Sequence, residues 1–224
     1  MTLQAFGDSF TCGEGVGVQV PLAGTWAALL AQALGLDHVS HAVAGSRVRD
    51  VAGRQLAQAR EAQVSTLLVG LNDVARGGFD GPAVQAGLLD CVGRLVGLSD
   101  AVVLGRLHDP SRLMWMPAPL RRVLRRRLAV VNAAVDDAAA FPRVRVVDLA
   151  TVPELQHPAG WAVDRVHPSA AGHRALAHAA SAELGRAMPA SVPLPGAPGL
   201  MRRAVWGARH GAPYLAGQLI GRRS

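Results

Sequence analysis

This sequence predicts a three-layer α/β/α sandwich around a central five-stranded parallel sheet, and three observations carry the prediction. Five short apolar runs bounded by Gly, Asn or Asp are too brief for helices and apolar enough for strands buried on both faces. Between them lie stretches whose apolar residues recur at helical spacing. The 224 residues, 50% of them hydrophobic, suffice for one core that buries roughly 70% of the unfolded chain's surface. Alternation of this kind puts helices over both sheet faces and leaves the loops at the strands' carboxyl ends for chemistry.

The first strand covers Leu3 to Phe6 and runs into Gly7-Asp8-Ser9-Phe10. Trp26, Leu29, Leu30 and Leu34 form one helical stripe, after which the second strand, His38 to Val43, exits at Ala44-Gly45-Ser46. A stripe of Val48, Ala52, Leu56 and Ala59 predicts a helix before the third strand, Val64 to Val69, which exits at Gly70-Leu71-Asn72-Asp73. Val84, Leu88, Cys91 and Leu95 mark the next helix, and Ala101 to Leu104 the fourth strand. Leu120, Val123, Leu124, Leu128, Val131 and Val135 then share a helix face opposite Arg121, Arg122, Arg125 and Arg126. Val144 to Val147 is the fifth strand, and a closing helix follows Pro168 through Leu184, started by Pro168 or Ser169.

Residues 1–188 form the expected folded domain. After Met188 the composition changes, with Pro189, Pro193, Pro195 and Pro198 in ten residues and no further acid, so residues 189–224 are expected to be a Pro/Arg-rich extension. Within it Leu200 to Ala208 and Pro213 to Ile220 suit short helices. The net charge of +7 has a local origin. Five arginines fall in 190–224 and six more between Arg112 and Arg127, leaving 12 basic against 16 acidic residues elsewhere. Nine aromatics are too few for the stacking that nucleic-acid binders use, so nucleic acid is not an expected partner. The arginine-rich tail suits weak contact with an anionic membrane, and the basic helix face is either solvated or a patch for anionic lipid or an acidic substrate.

No apolar run reaches the roughly 18 residues needed to span a bilayer, and no basic-then-apolar leader follows Met1. Cys12 and Cys91 have no metal-ligand spacing and are read as free thiols in a reducing compartment, so a cytoplasmic location is expected. His173 and His178 lie five apart, which does not put them on one helix face, and no metal or cofactor is expected.

A serine placed directly after a strand and a glycine stands at the sheet's carboxyl edge, where backbone N–H groups are still free to hold a developing oxyanion. Such a serine becomes nucleophilic when an imidazole takes its proton and a carboxylate fixes the imidazole's tautomer. Asp164-Arg165-Val166-His167-Pro168 offers both groups within one loop turn. Gly45 and Asn72 bring a backbone and a side-chain N–H to the same edge. Phosphate-cradle and G-x-S-x-G motifs are absent.

Four such stretches in this order resemble the SGNH hydrolase superfamily, the GDSL esterases and lipases. Gly7-Asp8-Ser9-Phe10 is similar to its first block, Gly45 to its second, Gly70-Leu71-Asn72-Asp73 to its third and Asp164-Arg165-Val166-His167 to its last. Phe10 replaces the usual leucine, and Ser40 stands where the family often has Asn. The resemblance covers about residues 2–187 and implies a flavodoxin-like fold. It also implies Ser9 as nucleophile, His167 as general base, Asp164 as its partner, and an oxyanion hole of Ser9 N–H, Gly45 N–H and the Asn72 amide. The expected reaction is hydrolysis of a small-molecule or lipid carboxylic ester through an acyl-enzyme. Within the same fold, carbohydrate O-deacetylation and lysophospholipid or thioester cleavage are alternatives; a non-catalytic module binding anionic surfaces is the rival from another class. His108-Asp109-Pro110 is a candidate pocket lining, and Leu113-Met114-Trp115-Met116-Pro117 offers flexible apolar surface near the site.

Overall fold

Strand β1 (Thr2–Gly7) opens the chain, and after helix α1 (Ser9–Cys12) a small hairpin, β2 (Glu14–Gly15) with β3 (Val18–Gln19), precedes helix α2 (Trp26–Leu34). Four further strands complete an all-parallel sheet: β4 (Asp37–Ser40), β5 (Ala62–Leu68), β6 (Ser99–Arg106) and β7 (Val144–Asp148). Their spatial order is β4-β1-β5-β6-β7. Leu3 sits beside His38 on one side and Val64 on the other, and Val102 beside Val144. The computed structural model describes residues 1–15, 18–188 and 199–211.

The remaining helices are α3 (Val48–Asp50), α4 (Leu71–Ala75), α5 (Gly81–Leu98), α6 (Ala118–Ala138), α7 (Ala170–Glu183) and α8 (Leu200–Trp206). Helix α2 packs against α7 on one sheet face, while α3, α5 and α6 cover the other. Covered on both faces, β1 and β5 are buried along almost their whole length, polar Gln4, Ser65 and Thr66 included, whereas the edge strand β4 alternates. Caps fix the helix starts. The Asp80 carboxylate accepts the Ala83 N–H at α5, and the Ser169 hydroxyl accepts the Gly172 N–H at α7.

Chain order reverses between β1, which is flanked by β4, and β5. In open parallel sheets the crevice outside such a switch point is where ligands bind. Helices α1 and α4 begin just beyond the carboxyl ends of these two strands.

The fold departs from the sequence expectation in three places. The helix expected over 48–59 is α3 followed by a widened π turn at Val51–Gln55 and a 3-10 turn at Leu56–Gln58. The widening coincides with Gln55 turning inward to hydrogen-bond the main chain of Gly7. The second strand ends at Ser40, although the N–H groups of His41 and Val43 still reach Ala5 O and Gly7 O. Leu120 and Val123, expected on the buried face of α6, are 55% and 44% exposed. In the extension, α8 and a π turn at Gly207–Gly211 realise the first expected helix. The linker prolines 189–198 and the helix expected over 213–220 lie outside the described residues. Among the described residues no helix is long and apolar enough to cross a membrane.

Candidate active site

The turn between β1 and α1 presents Ser9. Gly7 has φ +144°, and a Cβ there would lie 2.2 Å from the Leu68 carbonyl oxygen, so only glycine fits between β1 and β5. Asp8 caps the short helix, its carboxylate accepting the Phe10 N–H at 3.0 Å. Gln55 locks the turn from below, accepting from Gly7 N–H at 2.9 Å and donating to Gly7 O at 2.8 Å. Ser9 is half-buried at the sheet's carboxyl edge.

His167 approaches Ser9 from the loop before α7. The Ser9 hydroxyl lies 2.8 Å from His167 Nε2, and His167 Nδ1 lies 2.6 Å from Asp164 Oδ2. A neutral imidazole protonated at Nδ1 satisfies both contacts, donating to the carboxylate and accepting from the hydroxyl. Burial alone would raise the Asp164 carboxyl, but the His167 hydrogen bond, its charge and two backbone N–H groups hold it below the ordinary range. Those N–H groups belong to Val166 and His167 and both bond Asp164 Oδ1 at 3.0 Å. Arg165 takes a positive φ of 61° between them, which closes the loop turn, and its guanidinium bonds the Pro158 carbonyl. Ser169 clamps the loop's far end through its N–H to Gly160 O and its hydroxyl to Ala159 O.

Asn72 on α4 reaches toward the same edge. Its amide nitrogen donates to Asp8 Oδ2 and to Ser46 O, both at 3.1 Å. Asp8 is fully buried and its carboxyl is raised to about 6 by desolvation, against the pull of the Phe10 N–H, His167 and Asn72. Gly45 has φ +79° and its carbonyl accepts from Arg76 at 3.1 Å. Neither the Ser9 nor the Gly45 N–H donates to any turn or loop acceptor among the described residues. The structure therefore gathers Ser9, Asp164, His167, Gly45 and Asn72 around one point of the sheet edge. Asp73, by contrast, turns away to cap α3 through the Val48 N–H at 3.1 Å.

The other histidines have different settings. His173 Nδ1 accepts the Trp26 N–H, and burial lowers the ring to about 4. His108 is 5% exposed, packs its ring against Trp161 at 4.1 Å between centroids with a tilt of 34°, and has no hydrogen-bond partner on either nitrogen among the described residues. It lines a cavity of about 300 Å³ with Asp109, Arg112, Leu113 and Leu155, beyond β6 and β7. Phe10 connects it to the site, its ring centroid 6.2 Å from that of His108 and 6.0 Å from that of His167. Cys12 is half-buried and Cys91 buried, its thiol pushed up to about 12 by desolvation.

Sequence reasoning missed Gln55 and Arg76. Gln55 had a usable signal, since a glutamine one turn after Val51 borders the apolar stripe and so faces inward. Arg76 had none, because its partner Gly45 is 31 residues away.

A parallel α/β/α sandwich that brings Ser9 from one loop to Asp164 and His167 of another at the carboxyl edge of its sheet defines a hydrolase-like architecture. The family model of the GDSL-like Lipase/Acylhydrolase family matches residues 5–175, and the chain belongs to this family. A curated relative, the GDSL-like esterase Rv1075c of Mycobacterium tuberculosis, is 29% identical over 182 residues, covering 75% of this chain and 56% of its own length. The chain thus spans little more than half of that relative. Among solved structures, the acetylxylan esterase Axe2 of Geobacillus stearothermophilus aligns with TM-score 0.61 and 24% identity over 82% of this chain and 94% of its own. LAE5, an α/β hydrolase enzyme from the metagenome of Lake Arreo, aligns with TM-score 0.62 and 22% identity over the same shares. These two show that the fold is shared.

Proposed function

We propose that this protein hydrolyses carboxylic esters through an acyl-enzyme on Ser9. The observation that carries the reading is the continuous chain Asp164–His167–Ser9, with 2.6 and 2.8 Å links. In this reading Ser9 Oγ attacks the ester carbonyl while His167 Nε2 takes its proton, and Asp164 stabilises the imidazolium. His167 then gives the proton to the leaving alcohol. In the second half-reaction it activates the water that releases the acid. Negative charge on the carbonyl oxygen meets the Ser9 and Gly45 N–H groups and the Asn72 amide. The free thiols Cys12 and Cys91 support a cytoplasmic setting.

Fluorophosphonate labelling of the purified protein tests the nucleophile, with label expected on Ser9 and lost in Ser9→Ala. Ser9→Ala and His167→Ala should each lower kcat for an activated short ester by roughly 10³-fold or more, and the double variant should be little worse, because the residues act as a unit. Full activity in Ser9→Ala, or losses that add, would reject the mechanism. An ester series of increasing acyl length on the same protein then defines the acyl preference.

A further inference from the structure

We infer that the amino-terminal half of α6, with the loop before it, docks on an anionic lipid surface and brings the Ser9 edge of the sheet against it. An apolar and basic face that the fold leaves uncovered carries this inference. Leu124, Leu128, Val131 and Val135 of α6 are buried, while Leu120 and Val123 of the same helix stand out in solvent. Length explains the difference. The 21 residues of α6 span about 32 Å, and Asn132, far along the helix, bonds both main-chain groups of Leu107 just past the end of β6, so the turns before it run beyond the sheet's carboxyl edge. Trp115, in the loop just before, is 88% exposed.

Cations surround these side chains. Arg121, Arg122, Arg125 and Arg126 line one surface depression of about 450 Å³ with Ala118 and Ala129. Arg125 pairs with Asp109 at 2.7 Å, but Arg121, Arg122 and Arg126 have no acidic partner among the described residues. Unpaired arginines beside an exposed tryptophan and aliphatic side chains match a bilayer of anionic headgroups, which offers phosphates to the first and acyl chains to the second. A nucleic-acid duplex would take the arginines and leave Leu120 and Val123 in water, so lipid is the better complement.

The face lies close to the candidate active site. Arg127, one turn beyond Val123, donates to Val74 O and Arg76 O, tying α6 to the helix that carries Asn72 and to the arginine that holds Gly45. A membrane met by this face therefore lies beside the mouth of the site, which points to lipid-borne esters as substrates. That last step rests on the esterase reading; the docking does not.

The test is sedimentation of the full-length protein with vesicles of mixed phosphatidylglycerol and phosphatidylcholine, against phosphatidylcholine alone and a duplex DNA control. Binding is expected to the anionic vesicles only and to weaken with salt. The triple variant Arg121→Gln, Arg122→Gln, Arg126→Gln and the pair Trp115→Ser, Leu120→Gln should each lower it by about tenfold or more. Both variants should hydrolyse a short soluble ester at the parental rate, and Ser9→Ala should still bind vesicles, which separates failure of docking from failure of the esterase reading. Absence of binding to anionic vesicles, equal binding to both vesicle types, parental binding by both variants, or capture by DNA in place of vesicles would each overturn the inference.

Discussion

Asn72 has two amide hydrogens, and in the resting site both are held, one by Asp8 and one by the Ser46 carbonyl. These bonds fix the amide in place, and in the proposed reaction one of them is shared or yielded when the oxyanion forms. The amide should therefore contribute more to the transition state than to substrate binding. Asn72→Ala is expected to lower kcat by about 10² to 10³ while KM moves only a few-fold, measured by steady-state kinetics on a soluble ester. A change in KM alone would make Asn72 a substrate contact. His108 is a second residue whose chemistry can be isolated. Burial lowers its ring to about 4, so it is neutral in the fold, while an unfolded histidine takes a proton below about 6.5. Its contribution is full above pH 6.5 and is lost as pH falls toward 4, by a few kcal/mol in all. His108→Phe keeps a ring against Trp161 and removes two unpaired nitrogens, so it should raise Tm, and raise it more at pH 5 than at pH 8. A Tm gap that does not change with pH would mean that His108 titrates freely in the native state.

At the scale of an element, the turn from β1 to α1 depends on two residues besides Ser9, His167 and Asp164. Gly7 cannot carry a side chain against Leu68 O, and Gln55 satisfies both of Gly7's main-chain groups. Gln55→Ala leaves the buried Gly7 N–H unpaired, at about 1–3 kcal/mol, and leaves the Gly7 carbonyl with the Val43 N–H alone. Thermal denaturation should show that loss. Ester kinetics should show a fall in kcat larger than any change in KM, because Ser9 is displaced from His167. Unchanged Tm and kcat would mean that the turn holds its shape without Gln55. The π turn at Val51–Gln55 is the structural trace of this role, since an uninterrupted helix would place the glutamine differently.

For the whole molecule, the sheet supplies the frame and the extension lies beyond it. The α/β pattern closes with α7, and α8 adds one wall of a surface pocket with Val163, Met201 and Val205. A chain ending at Pro189 is expected to keep the Tm and short-ester activity of the full chain within small margins. Aggregation of that shorter chain, or a much lower Tm, would make the extension part of the core.

The sequence by itself determined the strand and helix alternation, the parallel sheet and the positions of Ser9, Gly45, Asn72, Asp164 and His167. Each of these follows from local information: an apolar run, a glycine at a strand exit, or an Asp three residues before a His within one turn. Tertiary structure alone decided what depends on distant groups meeting. Ser9 and His167 come within 2.8 Å across 158 residues because α7 returns along the sheet, and Gln55 finds Gly7 across 48. The exposure of Leu120 and Val123 was likewise settled by the length of α6 against the sheet. Periodicity marks the apolar face of a helix, but only the packed neighbours determine how far along the helix that face is covered.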